Sequence, residues 1–206
     1  LRSVVPETFF FDTVDDGVAA RIDDFLAWLT AAGAVLLPVP DFGQAGAFEH
    51  WSTIVPAEGG SFHEQRLADD PDGYSADVYG RLTAGIALPA SKLARSLAWR
   101  AAYRRRLAGV LAEYDVMVTP TIAADVPLID GTDSRAQTAT LGAITYPWAL
   151  HDGPTLNLPI GFHSGSGMPV GAAITGAVGA ESVLYQVADR YQRDTDWHRV
   201  LPAGYP

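Results

Sequence analysis

A mixed-sheet α/β fold is the class this sequence predicts, and three observations carry it. Strand-like apolar runs flank an amphipathic helical stretch over residues 2–39. A long helical pattern at Ala90–Glu113 leads into the apolar run of "YDVMVTP". Two further apolar runs in "TLNLPIGFHSGSGMPVGAAI" (Thr155–Ile174) are joined by a Gly/Ser hairpin and followed by a closing helix. Strands alternating with helices at this spacing predict a sheet flanked by helices, a single α/β region over residues 1–206.

Each element has its own signal. "RSVVP" (Arg2–Pro6) reads as a strand. In "DDGVAARIDDFLAWLTAAGA", Val18, Ile22, Phe25, Leu26 and Leu29 recur at helical spacing. Asp15 and Asp16 suit the positive end of that helix, and Gly33 suits its stop. "AVLLPV" (Ala34–Val39) is the second strand, which completes a βαβ unit. Phe42 to Arg66 reads as short, irregular helical pieces, and "ADDPDGYS" (Ala68–Ser75) as a polar break. The Ala90–Glu113 helix should turn Leu93, Leu97, Ala101, Leu107 and Leu111 inward and leave Arg104, Arg105 and Arg106 in solvent. Leu128–Thr140 has no strong periodicity and reads as a loop. The last helix should bury Val183, Leu184, Val187 and Tyr191.

Composition narrows the function. The chain is ordinary globular material, with 48% hydrophobic and 18% charged residues. A net charge of −10 disfavours a nucleic-acid partner, which needs a basic face. No apolar run reaches the roughly 18 residues of a membrane span. The absence of cysteine excludes a disulfide scaffold, a thiolate metal site and a cysteine nucleophile, and it fits a reducing, cytoplasmic setting. Because the chain starts at Leu1 without Met or a signal peptide, it reads as mature, cleaved or cut from a longer protein.

Candidate chemistry is sparse. His50 and His63 lie near Glu49, Glu58 and Glu64, yet the His-Glu-x-x-His spacing of a helical metal site is missing. Polar helix residues are the plainer reading, so no metal is expected. Ser164 and Ser166 alternate with glycine, but without the Gly-x-Ser-x-Gly elbow they read as hairpin residues rather than nucleophiles. No phosphate-cradling glycine loop occurs, and no cofactor is expected. Lys92 is the single lysine and sits at the start of the long helix.

The pieces in order resemble the C-terminal half of an amidase-signature enzyme. The resemblance runs nearly end to end. It is carried by the opening strand–helix–strand, by "STIVPAEGGSFHEQ" with Glu58 and His63, and by the run "DVYGRLTAGIALPASKLARSLAWRAAYRRRLAGVLAEYDVMVTPT" with Gly85, Arg100, Asp115 and Thr119-Pro120-Thr121. "YPWALHDGPTLNLPIGFHSGSGMPVGAAITG" completes it, with two departures: Ala149 stands where the family has Asn, and Asp152 where it has Gly.

The resemblance implies an α/β/α fold and a parent enzyme that hydrolyses amide C–N bonds through a serine, a second serine and a lysine. Those residues belong to a Gly/Ser-rich stretch that this chain does not contain, so no catalytic residue is expected here and the chain should be inactive alone. It would supply scaffold and part of the pocket for a small amide. By resemblance, the substrate side is the Thr119–Thr121 loop, the Ala123–Thr145 segment and the Tyr146–Pro154 turn. That gives Thr119, Thr121, Ile144, Tyr146, Trp148, His151 and Asp152 as substrate-binding residues. A surface bared by the missing half predicts a homodimer or association with an N-terminal amidase chain. The alternative is a non-catalytic α/β module that binds a ligand or a partner.

Overall fold

The structure, a computed structural model, describes residues 1–130 and 134–201. Five strands form one mixed sheet: β1 (Arg2–Pro6), β2 (Val35–Val39), β3 (Val116–Pro120), β4 (Thr155–Phe162) and β5 (Pro169–Thr175). Their spatial order is β2-β1-β3-β5-β4. The first three run parallel, with Val4 opposite Leu37 on one side and Met117 on the other. β5 is antiparallel to β3 and to β4, and the β4–β5 pair is the predicted Gly/Ser hairpin. The mixed-sheet α/β class predicted from the sequence is the class observed.

Helices cover both faces. α1 (Asp16–Ala31) and α7 (Glu181–Asp194) bury Ile22, Phe25, Leu29, Leu184 and Tyr191 against Val116, Val118 and Ile174. The Asp15 carboxylate caps α1 by accepting from the Gly17 N–H at 2.8 Å, and Gly33 ends the turn at φ +91°. On the opposite face, α2 (Ala47–Asp69), α4 (Ala90–Glu113) and the short α6 (Tyr146–Ala149) close over Val4, Met117 and Phe10. α3 (Ala76–Ile86) packs on α2. α5 (Ser134–Gly142) precedes α6.

Three expectations about the elements need correction. After a short 3-10 helix at Gln44–Gly46, the stretch expected as irregular pieces is one continuous helix from Ala47 to Asp69, despite Pro56 and the Gly59-Gly60 pair. Local propensity disfavours that helix, whereas packing against α3 and α4 favours it. α3 carried no expectation. α5 occupies much of the segment expected as a loop. On α4 the inward residue is Tyr103, fully buried one turn before Leu107, whereas Ala101 is exposed.

The arginine run is not a plain solvated face. Arg104 Nε donates to the Leu150 carbonyl at 2.8 Å and Arg106 Nε to the Phe42 carbonyl at 2.8 Å. Arg105 is exposed as expected.

The proline and glycine inside β4 have structural reasons. Pro159 lies on an edge strand, where its missing N–H breaks no ladder. Gly161 takes φ +132° at a register shift, a bulge conformation that a side chain resists.

Candidate functional site

A wide, open cleft lies beyond the carboxyl end of β3, between the 127–129 segment and α5–α6. It encloses about 750 Å³, and Pro127, Leu128, Ile129, Leu141, Gly142 and Tyr146 form most of its wall. Gln137, Thr138 and Thr145 complete the lining. α5 places Gln137 and Leu141 one turn apart, so both reach the same side. The Tyr146 hydroxyl donates to the Thr138 carbonyl at 2.7 Å, and Thr145 Oγ1 donates to the Gly142 carbonyl at 2.9 Å. These two bonds lock the end of α5 to the start of α6. A Cβ on Gly142 would strike the Tyr146 ring, so the glycine lets the ring close over the helix end.

The seven residues expected at the substrate side separate into four neighbourhoods. Tyr146 lines the cleft, with Ile144 buried just behind it. Trp148 turns into an aromatic stack, its ring 5.0 Å from Phe10 at 11°. Its Nε1 is buried without a hydrogen-bond partner among the described residues. His151 and Asp152 fasten the turn after α6. His151 Nε2 meets the Gly176 carbonyl at 2.9 Å, and burial holds the ring below its usual pKa, so the neutral ring donates from Nε2. Asp152 pairs with Arg104 at 2.7 Å, so the departure from glycine gives that guanidinium an anchor. Thr119 is fully buried in β3, and Thr121 Oγ1 donates to Asn157 Oδ1 at 2.9 Å across the sheet.

Leu128, Ile129, Gln137 and Leu141 also line the cleft and are not among the seven. Their segment was expected to face substrate, but it was read as a loop. The i, i+4 spacing of Gln137 and Leu141 is the signal that would have placed them.

The other candidates have structural partners. His50 Nδ1 bonds Ser96 Oγ at 3.0 Å while its ring stacks on Trp99, and His63 Nδ1 bonds the Tyr74 hydroxyl at 3.0 Å. Glu58 pairs with Arg100 at 3.4 Å. Lys92 is exposed on the first turn of α4.

Ser166 of the hairpin belongs to a clasp. Ser166 Oγ donates to Asp125 Oδ1 at 2.8 Å, while His163 Nε2 meets Asp15 Oδ1 at 2.5 Å. The Gly165 and Ser166 N–H groups point at His163 Nδ1, at 3.1 and 3.3 Å. With one nitrogen on Asp15 and the other facing backbone donors, the ring is not placed to take a proton from Ser166 Oγ. The clasp joins the α1 cap to the β4–β5 hairpin.

The hydrogen bond that His163 donates to the Asp15 carboxylate raises the His163 pKa, and the same bond lowers that of Asp15. The histidine's share of stability is therefore complete below the unfolded-state value and fades as pH rises through the raised native one. The carboxylate's share is present above its ordinary range and fades as pH falls through the lowered value. Thermal unfolding followed from about pH 6 to 9 should show a fall in Tm that His163→Gln removes. An equal fall in both proteins would rule the clasp out as its cause.

Comparison with known proteins supplies the family. The profile of the Amidase family matches residues 1–184. A glutamyl-tRNA(Gln) amidotransferase subunit of Burkholderia lata is 28% identical over 99% of this chain, which covers 47% of that protein. A 1-carboxybiuret hydrolase subunit of Pseudomonas sp. (strain ADP) is 25% identical over 95% of this chain, which covers 43% of it. A crystal structure of an amidase superposes with TM-score 0.80 at 27% identity, over 94% of this chain and 45% of its own. The structure of 6-aminohexanoate cyclic dimer hydrolase shares the fold, with TM-score 0.81 at 22% identity over 98% of this chain and 47% of its own. The chain thus spans a little under half the length of these relatives. With residues 1–184 matched to the family's profile, the chain belongs to the Amidase family.

Proposed function

We propose that this chain is the scaffold and pocket-wall portion of an amidase, a hydrolase of amide C–N bonds whose nucleophile lies on another portion of the protein. By the resemblance of its motifs we read it as the portion that follows the serine–lysine region. One observation carries the reading: a family match over residues 1–184 in a sequence whose single lysine is exposed on α4, outside the cleft lining. Serine–lysine chemistry needs a lysine within hydrogen-bond reach of a serine beside the substrate.

In this reading Tyr146 forms the wall. Ile144 and Trp148 back it from the core, and His151 and Asp152 hold the turn that presents it. Thr119 and Thr121 set the sheet end behind the cleft. The catalytic portion is the first partner. The two curated relatives are named as subunits, which supports association with a further chain or a second copy. The exposed Phe62 and Val178 are apolar surface available to such contacts. A cysteine-free composition suits work in the cytoplasm. Among the described residues, no helix is long and apolar enough to cross a membrane.

The purified chain should release no aniline from acetanilide and no ammonia from propionamide. The same chain joined to its serine–lysine portion should release both. Turnover by the chain alone would sink the assignment of the nucleophile elsewhere. No turnover by the joined protein on any amide would favour a non-catalytic binding module.

A further inference from the structure

The clasp on His163 also reaches the cleft. Asp125 follows β3 and stands two residues before Pro127, where the cleft wall begins. Its Oδ1 accepts from the Ser166 hydroxyl at 2.8 Å and from the Val126 N–H at 2.7 Å. Its Oδ2 lies 3.5 Å from His163 Nδ1. Two residues earlier, the Ala123 carbonyl accepts from the Asp15 N–H at 2.8 Å. The stretch leading into Pro127, Leu128 and Ile129 is therefore held by the α1 cap and the hairpin, and Asp125 is its last fixed point. Pro127 has a fixed φ, so a movement at Val126 is passed on to the wall.

His163 Nδ1 faces two kinds of partner, and its proton decides between them. Nε2 carries a hydrogen in either state, because it meets the Asp15 carboxylate at 2.5 Å. In the neutral ring Nδ1 is a lone pair, which suits the Gly165 and Ser166 N–H groups at 3.1 and 3.3 Å. In the cationic ring Nδ1 carries a hydrogen, which those N–H groups repel and the Asp125 carboxylate attracts. The charged groups facing the ring are Asp15, from the cap of α1, and Asp125, from the segment after β3. Arg21, on α1 beside Gly161, is turned to Asp24 at 3.0 Å. The Asp15 bond, and after it the Asp125 charge, favour the cation, so the exchange falls above the ordinary histidine range.

We propose that His163 and Asp125 position the cleft wall through a proton-dependent bond. The imidazolium draws Asp125, and with it residues 127–129, toward the hairpin. The neutral ring returns Nδ1 to the N–H groups of the turn and lets the segment go. The wall is thus held in at lower pH and released as pH rises through the His163 value. This coupling stands on the contacts themselves; that the wall meets an amide substrate rests on the amidase reading.

Methyl and histidine-ring NMR signals of the labelled chain, followed from about pH 5.5 to 9, test the coupling. The Leu128 and Ile129 methyl signals should move with one midpoint, that of the His163 ring. Asp125→Asn keeps an acceptor for the Ser166 hydroxyl and removes the charge. In that variant His163 should still titrate against Asp15, while the two methyl signals lose their inflection. Asp15→Asn should lower the midpoints of ring and methyls together. Methyl signals that ignore the His163 midpoint, or that follow it unchanged in Asp125→Asn, would overturn the proposal.

Turnover by the chain joined to its serine–lysine portion separates the coupling from the amidase reading. Linked midpoints without turnover remove the amidase and leave the coupling. Turnover with unlinked midpoints removes the coupling and leaves the amidase.

Discussion

Gly85→Val should destabilise the chain by about 3 kcal/mol, at the upper end of what overpacking does to a well-packed interior. Gly85 lies where α3 crosses α2, and a Cβ there would land on the carbonyl of Pro56. The partner is backbone, so no side chain can swing away to make room. The crossing is tight on the other helix as well, since a Cβ on Gly60 would sit 2.6 Å from the Leu82 carbonyl. Pro56 adds to the constraint, because it has no N–H for the carbonyl four residues back and the ring holds its own φ. α2 keeps its course through a proline and two glycines because α3 and α4 hold it.

Gly80 supplies the control within the same helix. It is exposed, and a Cβ there meets nothing within 4 Å. Gly80→Ala should therefore stabilise by about 0.5–1 kcal/mol through helix propensity. Gly85→Ala should gain the same propensity, lose it to the collision, and come out destabilised by about 1–2 kcal/mol. Urea unfolding midpoints of the three variants check the order. If Gly85→Ala matched Gly80→Ala, the close helix crossing would be refuted.

This crossing also marks where the sequence stops being legible. β1, α1 and β2 were readable because apolar spacing, an aspartate cap and a stopping glycine agree with one another. α4 was readable because Leu93, Leu97, Leu107 and Leu111 recur at helical spacing along it. α2 was not, because its letters argue against a helix and only contacts with α3 and α4 argue for it. The arginine run misled for a related reason, as nothing local reveals that Arg104 and Arg106 reach carbonyls 46 and 64 residues away.

The cleft was legible as a stretch of chain and not as a set of side chains. Residues 123–154 do contain the cleft, yet only Tyr146 of the seven residues named for binding lines it. Ile144 and Trp148 were chosen for being apolar beside a loop, and such residues are equally suited to the core, where both pack. Asp152 departs from the family's pattern, and His151 is its neighbour in the same turn. Their partners, the Gly176 carbonyl and Arg104, come from the end of β5 and from α4.

Tyr103→Ala should cost about 3–5 kcal/mol, the range for removing a large aromatic side chain from a packed interior. Tyr103 is fully buried on α4, stacked on Trp99 with ring centres 5.1 Å apart and tilted against Phe42 at 6.1 Å. Phe42 in turn stacks on Phe10, and Phe10 on Trp148. Loss of the ring opens a void at the root of an aromatic series that runs from α4 to the turn behind the cleft. The hydroxyl adds a directional contact, donating to the Pro147 carbonyl at 3.2 Å. Burial pushes the phenol well above its ordinary pKa, so this donor stays protonated across the range in which the protein is handled. Tyr103→Phe keeps the ring and removes only that bond. Its effect should be near 1 kcal/mol, because the Pro147 carbonyl still accepts from the Leu150 N–H at 3.3 Å. The two variants therefore separate packing from anchoring. A loss in Tyr103→Phe approaching that of Tyr103→Ala would mean that the hydrogen bond, and not the aromatic series, holds α6 in place. An alanine variant as stable as the parent would show that α4 does not support the cleft wall at all.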